Sequence, residues 1–335
     1  MIITRTPFRV SFFGGGTDYP TWVSEHGGAV LSTTIDKYCY ISCRRLPPFF
    51  EHKHRIVYSK IESVKSVDEI EHPSVRACLN WMKPTSGLEI HHDGDLPAKS
   101  GLGSSSSFTV GLLHALKGLA GGRYSDEHLA QEAIYIEQKV IGESVGSQDQ
   151  IAAAYGGLNK VVFNRDGSFV VNPFCLSLER KNELQDHLML FFTGLSRFAS
   201  EVAATKIKNF KNREKELKII RSMVDEGCKV LGDSGEPILN FGQLLDTAWH
   251  YKRELSDAIS NPLIDEMCEA AKDAGVVGGK LLGAGGGGFL LIFSPPNRQK
   301  AIIEKLKNLI YVPLKFEEGG SRVIFYQPSR LHGHE

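Results

Sequence analysis

The chain has 335 residues, of which 41% are hydrophobic and 23% are charged, and its 39 lysines and arginines balance its 39 aspartates and glutamates. This composition is typical of a folded chain long enough for two domains with separate cores, and it argues against disorder. The balanced charge disfavours nucleic acid or an anionic membrane as a partner, so any anionic ligand must be held by local groups.

The sequence contains no transmembrane or secretory signal that we recognise. No stretch is apolar over the length of a bilayer, and the first residues lack the apolar core of a signal peptide. We therefore expect a cytoplasmic protein. The six cysteines include no Cys-x-x-Cys pair, and we predict that they are reduced thiols of the core.

Strands predominate in the first third of the chain. Residues 9–13, 29–43 and 55–59 are rich in β-branched and aromatic side chains and are predicted as strands. Residues 14–18 contain three consecutive glycines, which cannot hold a strand, and are predicted as a tight loop.

Helices follow in the middle of the chain. We predict helices over residues 75–82 and 108–119, the second ending at a glycine pair that is typical of a helix C-terminus. Ser125 is predicted as the N-cap of the next helix, in which Glu137 lies at the border of the apolar stripe. Another helix is predicted to begin near Ser147.

The pattern changes near residue 185, where we place a boundary between two domains, 1–185 and 186–335. The second half is dominated by long amphipathic helices. Its predicted helices are 200–231, 237–259, 263–274 and 299–309, and its predicted strands are 188–192, the strand–turn–strand unit 279–293, 312–316 and 322–326.

The segment 95–107 is rich in glycine and serine and runs directly into an apolar helical pattern. Glycine lets the backbone approach an anion closely, and the start of a helix offers unpaired N–H groups and the positive end of its dipole. Lys99 precedes the glycines, whereas the lysine of a P-loop follows them. The segment also lacks the third glycine of the dinucleotide-binding fingerprint. The alternative is an ordinary capped turn. The predicted triphosphate-binding residues are Lys99, Ser100, Gly101, Leu102, Gly103, Ser104, Ser105 and Ser106.

A second glycine loop lies at residues 280–288 and contains four consecutive glycines, among them Gly285 and Gly286. Such a run weakens any regular element, so we expect another group to approach this backbone closely. The alternative is the turn of a β-hairpin, although a two-residue turn would be enough for that.

Three segments in order, 7–18, 96–107 and 280–288, resemble the three motifs of the galactokinase, homoserine kinase, mevalonate kinase and phosphomevalonate kinase superfamily. Within it the chain is most similar to the D-glycero-D-manno-heptose 7-phosphate kinases, also through residues 192–199 and 259–265. The resemblance implies an α+β fold, with an N-terminal domain like ribosomal protein S5 domain 2 and a ferredoxin-like C-terminal domain.

The resemblance also implies a use of ATP and Mg²⁺ and a role for several residues. Asp149 follows Glu137 at the spacing of the family's catalytic and metal-binding carboxylates, and it would orient the acceptor hydroxyl and accept its proton. Glu137 would hold magnesium with a serine hydroxyl, from Ser104 or Ser105. Arg9 would act beside the catalytic carboxylate. Without the resemblance, the favoured interpretations would be a helix-end carboxylate for Asp149, a solvated helix-edge carboxylate for Glu137 and a solvated strand-edge arginine for Arg9.

The substrate site implied by the resemblance centres on Asp18, which would bind a sugar hydroxyl. The Glu-His pair of galactokinases is replaced by Gly15 and Gly16, which argues against galactose and leaves room for a larger sugar or a phosphate. Arg197 is favoured among several cations for a phosphate remote from the reacting end. The predicted substrate-binding residues are Gly15, Gly16, Thr17, Asp18, Arg197, Gly285 and Gly286.

These features predict an ATP-dependent kinase that phosphorylates the anomeric hydroxyl of D-glycero-D-manno-heptose 7-phosphate to the 1,7-bisphosphate, in the synthesis of a nucleotide-activated heptose. One alternative is a fucokinase-like kinase of an unphosphorylated sugar. The other is a catalytically silent sugar and nucleotide sensor. The expected partners are small molecules, a sugar phosphate and ATP, with no nucleic acid or membrane, and a homodimer is left open.

Overall fold

Two β-sheets organise the chain. The computed structural model describes residues 1–98, 100–195, 203, 205 and 207–328. Within them the first sheet has nine strands and the second has four. The strands are β1 (Ile2–Phe13), β2 (Gly28–Arg45), β3 (His54–Val57), β4 (Ile61–Val64), β5 (Leu88–Gly94), β6 (Asn159–Phe163), β7 (Phe169–Pro173), β8 (Leu188–Phe192), β9 (Gly278–Leu281), β10 (Phe289–Phe293), β11 (Ile310–Val312), β12 (Phe316–Glu317) and β13 (Arg322–Tyr326).

Helices cover both sheets, and none of those in the described ranges is long and apolar enough to cross a membrane. A π-helical turn, Ile136–Ile141, continues the fourth of them. The helices are α1 (Pro20–His26), α2 (Pro73–Met82), α3 (Ser104–Leu119), α4 (Asp126–Tyr135), α5 (Gln148–Tyr155), α6 (Leu178–Asp186), α7 (Glu214–Gly232), α8 (Leu239–Glu254), α9 (Pro262–Asp273) and α10 (Gln299–Lys305).

The long strand β2 is the centre of the first sheet. It pairs antiparallel with β1, β5, β6 and β12, and the strand order along the main path is β13-β1-β2-β5-β3-β4. Most of the β1 side chains are buried, because the strand lies inside the sheet beneath α3. This placement brings the polar residues of β1 into the interior, where each needs a partner.

Helix α3 is fastened to β1 at its N-terminal end. The N–H of Arg9 donates to the carbonyl of Leu102 (3.0 Å), and the Ser107 hydroxyl donates to the carbonyl of Pro7 (2.9 Å). Further along, the Thr4 hydroxyl donates to the carbonyl of Gly111 (2.9 Å). The glycine–serine segment is therefore held directly over the middle of β1.

The second sheet has the order β11-β8-β10-β9 and contacts the first through aromatic side chains. Phe241 of α8 is fully buried, and its ring meets the rings of Phe12 and Phe13 edge-on, with centroids 5.3 and 5.1 Å apart. The ammonium of Lys280 in β9 donates to the carbonyl of Phe12 (2.8 Å). The end of β1 is thus anchored to the second sheet.

The α+β prediction is confirmed, and most predicted elements are present with shifted ends. Helix α3 begins at Ser104, so the serine run lies inside the helix and not before it. The predicted helix 200–231 is divided by a 3-10 turn, Phe210–Arg213. Five elements were not predicted from the sequence, because they are short and lack a clear periodicity: β4, β5, β7, α1 and α6.

The predicted boundary at residue 185 does not describe the two sheets. Strands β12 and β13 belong to the second predicted domain, yet they pair with β2 and β1 in the first sheet. They satisfy backbone groups of β1 and β2, a long-range requirement that no local sequence pattern encodes. The division into the domains 1–185 and 186–335 stays a prediction.

The six cysteines are all free, but only half of them lie in the core. Cys39, Cys43 and Cys78 are buried, and burial raises the pKa of the Cys43 thiol to about 12. Cys175 is exposed, which corrects the prediction of a core thiol at this position. It follows Pro173 at the end of an edge strand, where the apolar pattern gives no information on burial.

We expect Phe241→Ala to lower the free energy of unfolding by about 3–5 kcal/mol, because it removes a buried ring that both sheets contact. Phe49→Ala is the matched control, since the Phe49 side chain is 86% exposed and its loss should change the free energy by less than about 0.5 kcal/mol. Urea unfolding followed by circular dichroism measures both. Equal losses in the two variants would contradict this account of the core.

Candidate active site

An ion pair between Arg9 and Asp149 lies at the centre of the site. The Arg9 Nε is 2.8 Å from Asp149 Oδ1, and Nη2 is 2.9 Å from Oδ2, so the guanidinium holds the carboxylate at two points. The third nitrogen, Nη1, donates to the carbonyl of Gly101 (2.7 Å). One arginine therefore connects β1, the start of α5 and the first glycine loop.

The two partners differ in exposure. The Arg9 side chain is 5% exposed, whereas that of Asp149 is 26% exposed. Asp149 lies in the first turn of α5, where the helix dipole favours a negative charge. Arg9 thus holds the carboxylate from the buried side, and the opposite side of the carboxylate remains accessible to a ligand.

The first glycine loop passes over this pair. Gly103 has a φ of +76°, and a Cβ at this position would lie 3.3 Å from Arg9 Cγ and 3.5 Å from Asp149 Cβ. Ser100 and Leu102 are buried, Ser104 is half-buried and Ser105 is exposed at the start of α3. The predicted triphosphate residues are therefore adjacent to the predicted catalytic pair, except Lys99, which lies outside the described residues.

Glu137 is fully buried beside the loop, in the π-helical turn, and not at a solvated helix edge. Its Oε2 accepts hydrogen bonds from the Ser106 hydroxyl (2.9 Å) and from the Gln150 amide. Burial raises the pKa of the Glu137 carboxyl to about 7, against hydrogen bonds from Thr109, Ser106 and Gln150 that lower it. Glu137 follows the buried Ala133 by four residues, so it shares the buried face of the helix.

The environment of Glu137 fits a hard cation. Its Oε1 is buried and has no hydrogen-bond partner among the described residues. The serine that contacts the carboxylate is Ser106, whereas the prediction named Ser104 or Ser105. Within the described ranges no group of three or more acidic, histidine or cysteine side chains could hold a metal, so a cation here would need ligand oxygens as well.

Asp18 connects the triglycine loop to α5. It is 1% exposed, its Oδ1 accepts the N–H of Gly16 (2.9 Å) and its Oδ2 accepts the N–H of Gln148 (3.3 Å). Gly146 has no room for a Cβ, which would lie 1.9 Å from Asp18 Oδ2. Thr17 is fully buried, with its hydroxyl 2.9 Å from the carbonyl oxygens of Gly14 and Ala29. Thr17, predicted to bind substrate, thus shapes the loop.

The second glycine loop touches the first through backbone atoms. A Cβ on Gly283 would lie 2.5 Å from the Cα of Gly101, and one on Gly288 would lie 2.3 Å from the carbonyl oxygen of Ser100. The ammonium of Lys252 donates to the carbonyls of Leu281 and Gly283, both at 2.7 Å. The close approach that the glycines permit is therefore between the two loops, and the loop also joins the antiparallel strands β9 and β10.

Gly285 and Gly286, predicted to bind substrate, contact the segment before α9. The N–H of Gly286 donates to the carbonyl of Ile259 (2.9 Å), and a Cβ on Gly285 would lie 2.7 Å from the Ile259 Cα. Arg197 lies outside the described residues. These three assignments remain predictions.

The sequence analysis missed several buried polar residues around the site. Gln150 and Lys252 contact groups far away in the chain, so no local pattern marks them. Tyr19 is also buried here, and burial together with the charges of Asp18 and Asp149 raises the pKa of its hydroxyl. Tyr19 and Gln150 each directly follow a predicted site residue, Asp18 and Asp149, and this adjacency is the sequence signal that could have indicated them.

Because burial raises the pKa of Glu137 from 4.5 to about 7, the folded protein binds this proton more tightly than the unfolded chain. The wild type should therefore lose stability relative to Glu137→Gln as the pH rises from about 4.5 to about 7. The difference should reach up to about 3 kcal/mol above pH 7, from about 1.4 kcal/mol per pKa unit.

Urea unfolding of both proteins at pH 5 and pH 8, with a chelator and without nucleotide, measures this difference. Glu304→Gln is the control, since the Glu304 side chain is 78% exposed, and its difference from wild type should not change with pH. A difference in unfolding free energy between Glu137→Gln and wild type that does not change with pH would contradict the raised pKa of the buried Glu137 carboxyl.

Comparison with known proteins identifies the family. Residues 70–157 match the GHMP kinases N terminal domain, and residues 236–312 match the GHMP kinases C terminal domain. A D-glycero-alpha-D-manno-heptose 7-phosphate kinase of Campylobacter jejuni is 28% identical over 320 residues, 91% of this chain and 93% of that protein. The bifunctional fucokinase/GDP-fucose pyrophosphorylase of Arabidopsis thaliana is 28% identical over 318 residues, 86% of this chain but 29% of that protein.

The fold is also similar to that of solved structures. The crystal structure of a D-glycero-D-manno-heptose 1-phosphate kinase from Bacteroides thetaiotaomicron superimposes with a TM-score of 0.80 at 22% identity, over 98% of this chain and 100% of that one. The matches to both domain models and to the Campylobacter jejuni protein confirm the predicted superfamily resemblance. With both domains present in order, the chain belongs to the GHMP kinases.

Proposed function

We propose that this chain is an ATP-dependent sugar kinase that phosphorylates the anomeric hydroxyl of D-glycero-D-manno-heptose 7-phosphate, giving the 1,7-bisphosphate. The observation that carries the proposal is the Arg9–Asp149 pair beneath the first glycine loop. Phosphoryl transfer needs a positioned acceptor, a cradle for the phosphates and neutralisation of charge, and the residues for each lie together here.

Asp149 orients the acceptor and takes its proton. As the sugar oxygen forms a bond to the γ-phosphorus of ATP, the bond from that phosphorus to the β–γ bridging oxygen breaks, and ADP leaves. The hydroxyl proton passes to the Asp149 carboxylate, which is the exposed partner of the pair. Arg9 holds the carboxylate in place through two nitrogens, and its charge lies beside the transferring group.

The first glycine loop and the start of α3 bind the phosphates. The N–H groups of the first helical turn have no partners within the helix, and the dipole favours negative charge there. A magnesium ion on the phosphates would be held by Glu137 with Ser106 and would neutralise their charge. Contact with such a cation favours the ionised form of Glu137, against the effect of its burial.

The heptose 7-phosphate is proposed from the similarity to the Campylobacter jejuni protein, which extends over nearly the whole of both chains. The similarity to 29% of the bifunctional fucokinase/GDP-fucose pyrophosphorylase of Arabidopsis thaliana supports a second candidate, the kinase of an unphosphorylated sugar. The silent sensor is disfavoured, because a sensor has no need of a carboxylate fixed at two points and open to the ligand.

An assay of ADP release with magnesium tests the reaction and the substrate together. The sugars are D-glycero-D-manno-heptose 7-phosphate, mannose, fucose and galactose, and phosphorus NMR gives the position of the new phosphate. We expect turnover with the 7-phosphate and an anomeric product. Equal or faster turnover of a free sugar would contradict the heptose assignment, and no turnover with any of the four would contradict the proposal.

Asp149→Asn should lower turnover by roughly 10²- to 10⁴-fold, because the amide cannot accept the proton. Nucleotide affinity, measured by calorimetry, should change less than about twofold if the phosphates contact the loop and not this carboxylate. Asp166→Asn, in an exposed turn between β6 and β7, is the control for loss of one carboxylate charge. Near-wild-type turnover of Asp149→Asn would exclude this role.

A further inference from the structure

Two buried polar side chains beside the triglycine loop have no partner within the described residues. The Ser11 hydroxyl and the Gln148 Oε1 are enclosed by protein, with the two residues 6% and 9% exposed, and neither makes a hydrogen bond there. Leaving such atoms unpaired costs free energy, so a buried group of this kind normally meets a ligand or a water molecule.

Both side chains converge on Gly15. A Cβ built on this glycine would lie 3.7 Å from the Ser11 Oγ and 3.7 Å from the Gln148 Nε2. Apart from the chain neighbours of Gly15, no other atom of the described residues lies within 4 Å of that point, and Gly15 is not in the left-handed region. A small space lined by a hydroxyl, a carboxamide and a glycine therefore exists at the triglycine loop.

This space adjoins the reacting groups. Ser11 follows Arg9 by two residues in β1 and shares its face of the strand, and Gln148 directly precedes Asp149 in α5. The Gln148 N–H also binds the Asp18 carboxylate. A ligand group in the space would lie beside the acceptor end of the substrate.

The local charges favour a neutral ligand group. The charge of the buried Asp18 carboxylate would repel a phosphate, whereas the Ser11 hydroxyl can donate and accept and the Gln148 carboxamide can accept through Oε1 and donate through Nε2. We propose, on the basis of the proposed sugar kinase, that Ser11 and Gln148 bind ring hydroxyls of the sugar and thereby determine which sugar is accepted. The remote phosphate of a sugar phosphate then lies away from this space.

Three variants test this assignment. Gly15→Ala fills the space with a methyl group at ordinary contact distance and without backbone strain, and Ser11→Ala and Gln148→Met each remove one polar group. For the sugar turned over fastest among the four above, we expect KM to rise roughly 5- to 50-fold. The KM for ATP should change less than about twofold. Ser294→Ala, a buried serine at the far end of β10, should change neither.

A panel of 2-, 3- and 4-deoxy analogues of the same sugar provides the second readout. The wild type should reject at least one analogue by about 10-fold or more in kcat/KM, and Ser11→Ala or Gln148→Met should no longer distinguish that analogue from the parent sugar. A purely structural role of the two residues would leave this selectivity unchanged.

Turnover with an unchanged sugar KM and unchanged analogue selectivity in all three variants would overturn the assignment while leaving the kinase proposal intact, since the two atoms would then bind only water. An equal rise in the KM for ATP would overturn it as well. No turnover of any sugar by the wild type would overturn both. If Ser11→Ala does not fold, Gly15→Ala and the wild-type analogue panel decide.

Discussion

A buried arginine is the constraint on which the site depends. Arg9 is enclosed within the first sheet, and its charge is compensated by Asp149 and by the carbonyl of Gly101. Removing the Asp149 carboxylate would leave the Arg9 charge without its ion-pair partner in the interior, at a cost of about 3–5 kcal/mol. The need to satisfy one guanidinium therefore fixes the distance between β1, α5 and the first glycine loop. The catalytic geometry and the stability of this region have the same origin.

The two glycine loops give the second constraint. They are far apart in sequence, yet the backbone of Gly283 lies against that of Gly101, and Lys252 donates to the Gly283 carbonyl beside this contact. Side chains would keep the loops apart, so the glycines are required by the contact itself. This arrangement joins the C-terminal half of the chain to the first glycine loop.

The resemblance to the superfamily indicated Arg9, Glu137 and Asp149, and the glycine and serine content indicated the first glycine loop. The structure brings these residues together. The predicted serine beside Glu137 was Ser104 or Ser105, not Ser106, because the start of α3 could not be placed from the sequence. The helix starts at Ser104, so Ser105 faces outward and Ser106 faces Glu137. The apolar stripe placed Glu137 only at its border, because its full burial depends on contacts with Ser106 and Gln150 from other segments.

Pairing between segments distant along the chain could not be predicted from the sequence. The return of β12 and β13 to the first sheet, and the convergence of Ser11 and Gln148 on Gly15, join residues that are distant along the chain. Local propensity describes each segment but not its partner. The unpaired buried atoms became visible only when the surroundings of each side chain were known.

A crystal structure of the protein with a non-hydrolysable ATP analogue, magnesium and the heptose 7-phosphate tests the central claim most directly. We predict that the triphosphate follows residues 100–106, that Glu137 contacts the metal ion and that the anomeric hydroxyl lies within hydrogen-bonding distance of Asp149 and in line with the γ-phosphate. A nucleotide bound away from this loop, or a sugar with its anomeric hydroxyl remote from Asp149, would contradict the account.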